Sequence, residues 1–162
     1  MIRRDSFWLR LTSILLALVF VVLPLPSGLE PVRPYLLAMV LCYWLLETPQ
    51  HVGLGTAFLM GLFVDVLSAS LIGENALRLV VLAFLVQRFR PRLRFFPLWQ
   101  QALAVFALLL NDRIVMAAIH WLANAPSLPW SAWLSPVIGL ALWPWLFVLL
   151  DSLRLRSRER NT

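Results

Sequence analysis

Six apolar runs, parted by short polar or arginine-rich stretches, constrain this chain more than any single motif does. They lie at about 7–25, 35–46, 52–68, 71–86, 98–122 and 134–150. A helix needs about 20 mainly apolar residues to cross a bilayer. Six crossings would consume roughly 120 of the 162 residues, leaving about 40 for tails and connections. The chain is 61% hydrophobic and 14% charged, against about a half and a quarter for soluble domains. A soluble fold of this composition would lack polar surface. The sequence therefore predicts one all-α integral membrane domain over 1–162, a bundle of six transmembrane helices, with no room for a separate soluble catalytic domain.

The first run follows Arg3 and Arg4 and contains Arg10. A signal peptide begins similarly, but here Pro24-Leu-Pro-Ser-Gly28 follows instead of a small-residue cleavage site, so this run is expected to stay as an anchor. The second run is short, and Glu47-Thr-Pro-Gln-His51 closes it as a tight polar turn. Arg88, Arg90, Arg92 and Arg94, with Pro91, mark 87–97 as a basic loop, and 151–162 forms a basic tail. With six spans, the two tails, the 47–51 turn and the 87–97 loop share one side. That side carries Arg3, Arg4, Arg10, Arg88, Arg90, Arg92, Arg94, Arg154, Arg156, Arg158 and Arg160, while the opposite loops carry only Arg33. The positive-inside rule then places both termini in the cytoplasm, in a multi-pass protein of the cell inner membrane. The basic segments read either as topology signals near lipid headgroups or as a docking surface for an acidic cytoplasmic partner. Trp8, Trp44 and Trp99 at inner edges, and Trp121, Trp130 and Trp133 at outer edges, are expected to form interfacial belts. The basicity needs no nucleic-acid partner. Cys42, the single cysteine, is expected as filler within the second span.

Charge inside the spans calls for an account, because each such group costs about 2.5–3.5 kcal/mol on insertion scales and is usually paired or faces a cavity. Asp65, Glu74, Arg78, Asp112 and Arg113, with Asn111 and His120 near them, all fall between the midplane and the outer surface, so one cluster can gather them. Glu74 and Arg78 are four apart, with the acid first, the favourable order on one helix face. Asp112 and Arg113 are adjacent and need partners on different helices. Asp65–Arg78 or Arg78–Asp112 is the expected cross-helix bridge. The cluster reads either as structural pairing or as an ion path or contact with a partner or ligand.

Gly53, Ala57, Gly61 and Asp65 recur every four residues. Small residues at that spacing let membrane helices approach closely, here against a neighbour in the same chain in preference to a second copy. In Trp143-Pro144-Trp145 the proline removes a backbone hydrogen bond and predicts a bend, with the two tryptophans as interface anchors. The sequence contains no P-loop, nucleophile elbow or helical His/Glu metal motif, and His51 and His120 fall on opposite sides of the membrane. No enzyme activity, metal or cofactor is expected.

Several stretches resemble the MreD family of rod shape-determining membrane proteins, in its proteobacterial branch. They are Leu41-Cys-Tyr-Trp-Leu-Leu46 followed by Pro49, Gly55-Thr-Ala-Phe58, Gly61-Leu-Phe-Val-Asp65, Leu71-Ile-Gly73, Leu98-Trp-Gln-Gln-Ala102 and Leu142-Trp-Pro-Trp145. Asp65 falls at the family's aspartate, whereas Gly73-Glu-Asn and Asp112-Arg113 depart from the pattern. The resemblance implies a non-enzymatic scaffold or regulator of the cell-elongation complex. It would bind MreC and support side-wall peptidoglycan synthesis alongside RodA, a class B penicillin-binding transpeptidase, RodZ and MreB. It also implies a fold similar to the S-components of vitamin transporters, which keeps a second reading open: a small-molecule-binding or transporter subunit with the polar cluster as its pocket.

Overall fold

The computed structural model describes residues 3–159 and, among them, six α-helices and no strand. They are α1 (Arg3–Val22), α2 (Leu36–Glu47), α3 (Leu54–Ser68), α4 (Glu74–Leu93), α5 (Leu98–Leu122) and α6 (Ser135–Glu159). Short 3-10 turns occupy Glu30–Val32 and Trp130–Leu134. The helices alternate in direction. Connections 23–35, 69–73 and 123–134 thus gather at one end, and 48–53 and 94–97 at the other, together with the start of α1 and the end of α6. Arg160 lies outside the described residues, as do the side chains of Arg3, Arg4 and Arg158.

The second helix is the axis of the bundle. Ten consecutive residues, Leu37 to Leu46, are buried, as expected of a helix that is apolar on every side and enclosed by others. Its 12 residues span only about 18 Å at 1.5 Å per residue, less than the roughly 30 Å of a hydrocarbon core. Its neighbours in the bundle enclose it. Tyr43 stacks edge-on against Trp44 and Phe147 at centroid distances of 5.1 and 5.4 Å. Trp44 is fully buried and donates its indole N–H to Ser13 Oγ at 2.9 Å. Trp143 is also fully buried. These two are core residues, not members of an interfacial belt, whereas Trp8, Trp99, Trp121, Trp130 and Trp145 are exposed. Cys42 is buried in the same core.

The ends of α1, α4 and α6 differ from those read in the sequence, α1 running over Arg3–Val22 in place of 7–25. The fourth helix starts at Glu74, after a turn that runs from Ala69 to Gly73. It does not stop before the basic segment but carries Gln87 to Leu93 in helical form, with Pro91 inside it. Proline removes only the bond to Gln87, and the final turn closes through the Arg94 N–H to the Arg90 carbonyl at 3.0 Å. Similarly α6 runs on through Pro144 and as far as Glu159, so the basic tail is largely helix. Hydropathy locates where a helix leaves an apolar layer, not where its hydrogen-bond ladder ends.

The bundle inverts the soluble pattern. Phe58, Phe63, Val66, Ile72 and Leu149 face outward, while Asp65, Asn75, Arg78 and Asp112 are buried. A contiguous apolar exterior marks contact with a membrane or with other proteins. By length and composition alone, Leu98–Leu122 and Trp130–Ser157 are sufficient to cross a membrane.

Candidate functional site

Asp65, Glu74, Asn75, Arg78, Asp112 and Ser135, all buried, converge at the end where α3 turns into α4. Asp65, in the last turn of α3, does not meet Arg78. Its carboxylate instead accepts hydrogen bonds from the backbone N–H of Gly73 at 2.8 Å and Asn75 at 2.9 Å, with Ala76 at 3.4 Å. Ser70 Oγ and Asn75 Nδ2 donate to it at 3.0 Å each. The first N–H groups of a helix have no partner within it, and a negative charge there also meets the positive end of the helix dipole. Gly73, the residue before α4, has no side chain to cap with. Asp65 therefore caps α4 from another helix.

Two glycines make that possible. Gly73 sits at φ +96°, a left-handed conformation that side chains rarely adopt. Gly61, one turn before Asp65, lies against the start of α4, where an added Cβ would fall 2.3 Å from Ala76 Cα and 2.6 Å from the Asn75 carbonyl oxygen. The small-residue stripe thus packs within the chain, α3 upon α4, and its tight point is Gly61. At Gly53 a Cβ would meet only Gln87 Nε2 at 3.7 Å, an ordinary contact, while Ala57 is fully buried between them in sequence.

Arg78 pairs with Asp112. Nε and Nη2 reach the two carboxylate oxygens at 2.9 and 2.5 Å, a bidentate ion pair between α4 and α5. The guanidinium also donates to Asn75 Oδ1 at 3.1 Å, lies 3.8 Å from Glu74 and sits 4.8 Å over the Tyr35 ring. Glu74 is in turn 3.3 Å from His120 Nε2. Asn75 is the hub, because its Oδ1 also accepts from Tyr35 Oη at 3.2 Å while its Nδ2 serves Asp65 and Ser70. Sequence reading marked the Gly73-Glu-Asn departure without giving Asn75 a role. The signal was a carboxamide in the first turn of an apolar helix.

Arg113 points elsewhere, as adjacency to Asp112 requires. It donates to Ser135 Oγ at 2.9 Å, and Ser135 donates to the Arg33 carbonyl at 2.7 Å. A polar cavity of about 180 Å³ opens beside these groups, lined among others by Glu30, Arg33, Tyr35, Asn75, Arg78 and Arg113. Among the described residues, no three His, Cys, Asp or Glu side chains come together to hold a metal ion.

A smaller network stands at the opposite end. Arg154 pairs with Glu47, Tyr43 Oη donates to Asp151 at 3.3 Å, and Arg90 donates to the Leu46 carbonyl at 2.9 Å. Arg88, Arg92 and Arg94 remain exposed.

Comparison with known proteins decides the family. Residues 2–153 match the family described as rod shape-determining protein MreD. The chain is also 31% identical over 144 residues to the rod shape-determining protein MreD of Haemophilus influenzae, an alignment that covers 89% of each protein. The chain belongs to the MreD family. Membership assigns it a part in determining rod shape, within a family of structural proteins and not of known enzymes. No solved structure matches the chain significantly.

Proposed function

We propose that the chain crosses the inner membrane six times, with both tails in the cytoplasm, and acts as a non-enzymatic scaffold of the cell-elongation complex. In this reading it docks MreC and so supports side-wall peptidoglycan synthesis by RodA and a class B penicillin-binding transpeptidase, in step with RodZ and MreB. Family membership over nearly the whole chain carries the proposal. The apolar exterior fits a lipid environment. Eleven arginines fall on the side of the termini and one in the opposite connections, which supports the orientation. The exposed Arg88, Arg92 and Arg94 then lie at the cytoplasmic face, within reach of anionic headgroups.

A second reading, a small-molecule-binding subunit, draws on the polar cavity at the outer end. Depletion in rod-shaped cells separates the two. The scaffold predicts cells that round and swell, and co-purification of MreC with the chain in mild detergent. Normal shape combined with a nutrient requirement would reject the scaffold.

A further inference from the structure

We propose that the cavity between the 23–35 connection, α3, α4 and α5 is an anion site that takes a single phosphate or carboxylate group. Three arginines line it, Arg33, Arg78 and Arg113. Their charges are not equally matched. Arg78 is neutralised by its bidentate pair with Asp112, but among the described residues neither Arg33 nor Arg113 has an acidic partner within ion-pair distance. Glu30, the only acid lining the cavity among the described residues, is exposed. Two arginines without a carboxylate partner thus share one partly enclosed space with a single acid at its mouth, Arg33 being met instead by two backbone carbonyls at the end of α1. An anion placed there would relieve their mutual repulsion in a medium less polar than water.

The cations are also held in place. Arg33 donates through Nη1 and Nη2 to the Val21 and Leu23 carbonyls, at the end of α1, which fixes the plane of its guanidinium. Its Nε is buried with no hydrogen-bond partner in the protein. Arg113 is held by Ser135, and Ser135 by the backbone of Arg33, so the two positions are tied together. Planar, fixed guanidiniums are the side chains best suited to phosphate and carboxylate oxygens. The volume of about 180 Å³ equals roughly six waters at about 30 Å³ each. It has room for a phosphate or a short carboxylate with some hydration. The proposal is independent of the scaffold role, since failure of anions to bind would leave the shape defect on depletion unchanged.

The test uses the purified full chain in phosphatidylcholine nanodiscs, with thermal unfolding followed by tryptophan fluorescence. A ligand that binds only the folded state raises the midpoint. Two probes are applied: inorganic phosphate against chloride at equal ionic strength, and replacement of part of the phosphatidylcholine by phosphatidylglycerol. A saturable rise with phosphate identifies a soluble anion, and a rise with phosphatidylglycerol alone identifies a lipid headgroup. Either supports the site, provided that Arg113→Gln weakens the response about tenfold, as loss of a charge-assisted contact requires. Glu30→Gln, which removes the competing acid from an exposed position, should tighten it about threefold, and this variant decides the matter if Arg113→Gln fails to fold. No response to either probe, or responses equal in the wild type and Glu30→Gln, would overturn the proposal.

Discussion

Asp65→Ala is expected to destabilise the bundle by about 3–6 kcal/mol, and neutralising Arg78 should not rescue it. The substitution leaves the Gly73 and Asn75 N–H groups buried without their acceptor, at about 1–3 kcal/mol each, and strips a negative charge from the start of a helix. That places it among the largest single-substitution effects. Asp65→Asn keeps one acceptor oxygen and should cost about half as much. The measurement is thermal unfolding in mild detergent, with the level of protein in the membrane as a second readout. The lack of rescue follows from geometry: Asp65 touches the first turn of α4, while Arg78 faces Asp112. Recovery of Asp65→Ala by Arg78→Met would mean that the two residues do pair and that the capping arrangement is wrong.

The Arg78–Asp112 pair should behave in the opposite way. Both side chains are buried, so removing either one strands the other charge, at about 3–5 kcal/mol. Replacing both with apolar residues of similar size, as in Arg78→Met with Asp112→Leu, removes the need for compensation and should restore most of the stability. A residual loss of about 1 kcal/mol is expected from the Arg78–Asn75 hydrogen bond. If the double variant is as unstable as the two single losses added together, the groups are not coupled and the bridge is not the element that joins α4 to α5.

These two contrasts show where the sequence was legible. Helix number and order follow from the alternation of apolar runs with polar turns, and α5 begins and ends where its run does. Gathering Asp65, Glu74, Arg78, Asp112 and His120 at one end needed only the spacing of charges within those runs. The choice between Asp65 and Asp112 as partner of Arg78 was not legible, because it depends on which helix face each carboxylate occupies. It also depends on a competitor that charge counting ignores. Backbone N–H groups carry no letter in the sequence, yet at the start of α4 they hold Asp65 more closely than an arginine would. The same blindness applies to Trp44 and Trp143. A tryptophan near the end of a run reads as an interface anchor until the packing shows that α2 is central and that Ser13 meets the indole N–H. Asn75 was hard to rank for a related reason, since its weight comes from four partners on separate segments.

The proposed bundle crosses the membrane six times and turns its polar cluster outward. Single cysteines test this most directly. In a Cys42→Ala background, cysteines are placed one at a time at the exposed positions Ser27, Gln50 and Asn124 and probed in intact cells with a membrane-impermeant maleimide. Positions 27 and 124 should label from outside, and position 50 only after the inner membrane is permeabilised. Labelling of position 50 in intact cells, or protection of 27 and 124, would contradict the topology and with it the outer placement of the Asp65–Arg78–Asp112 cluster.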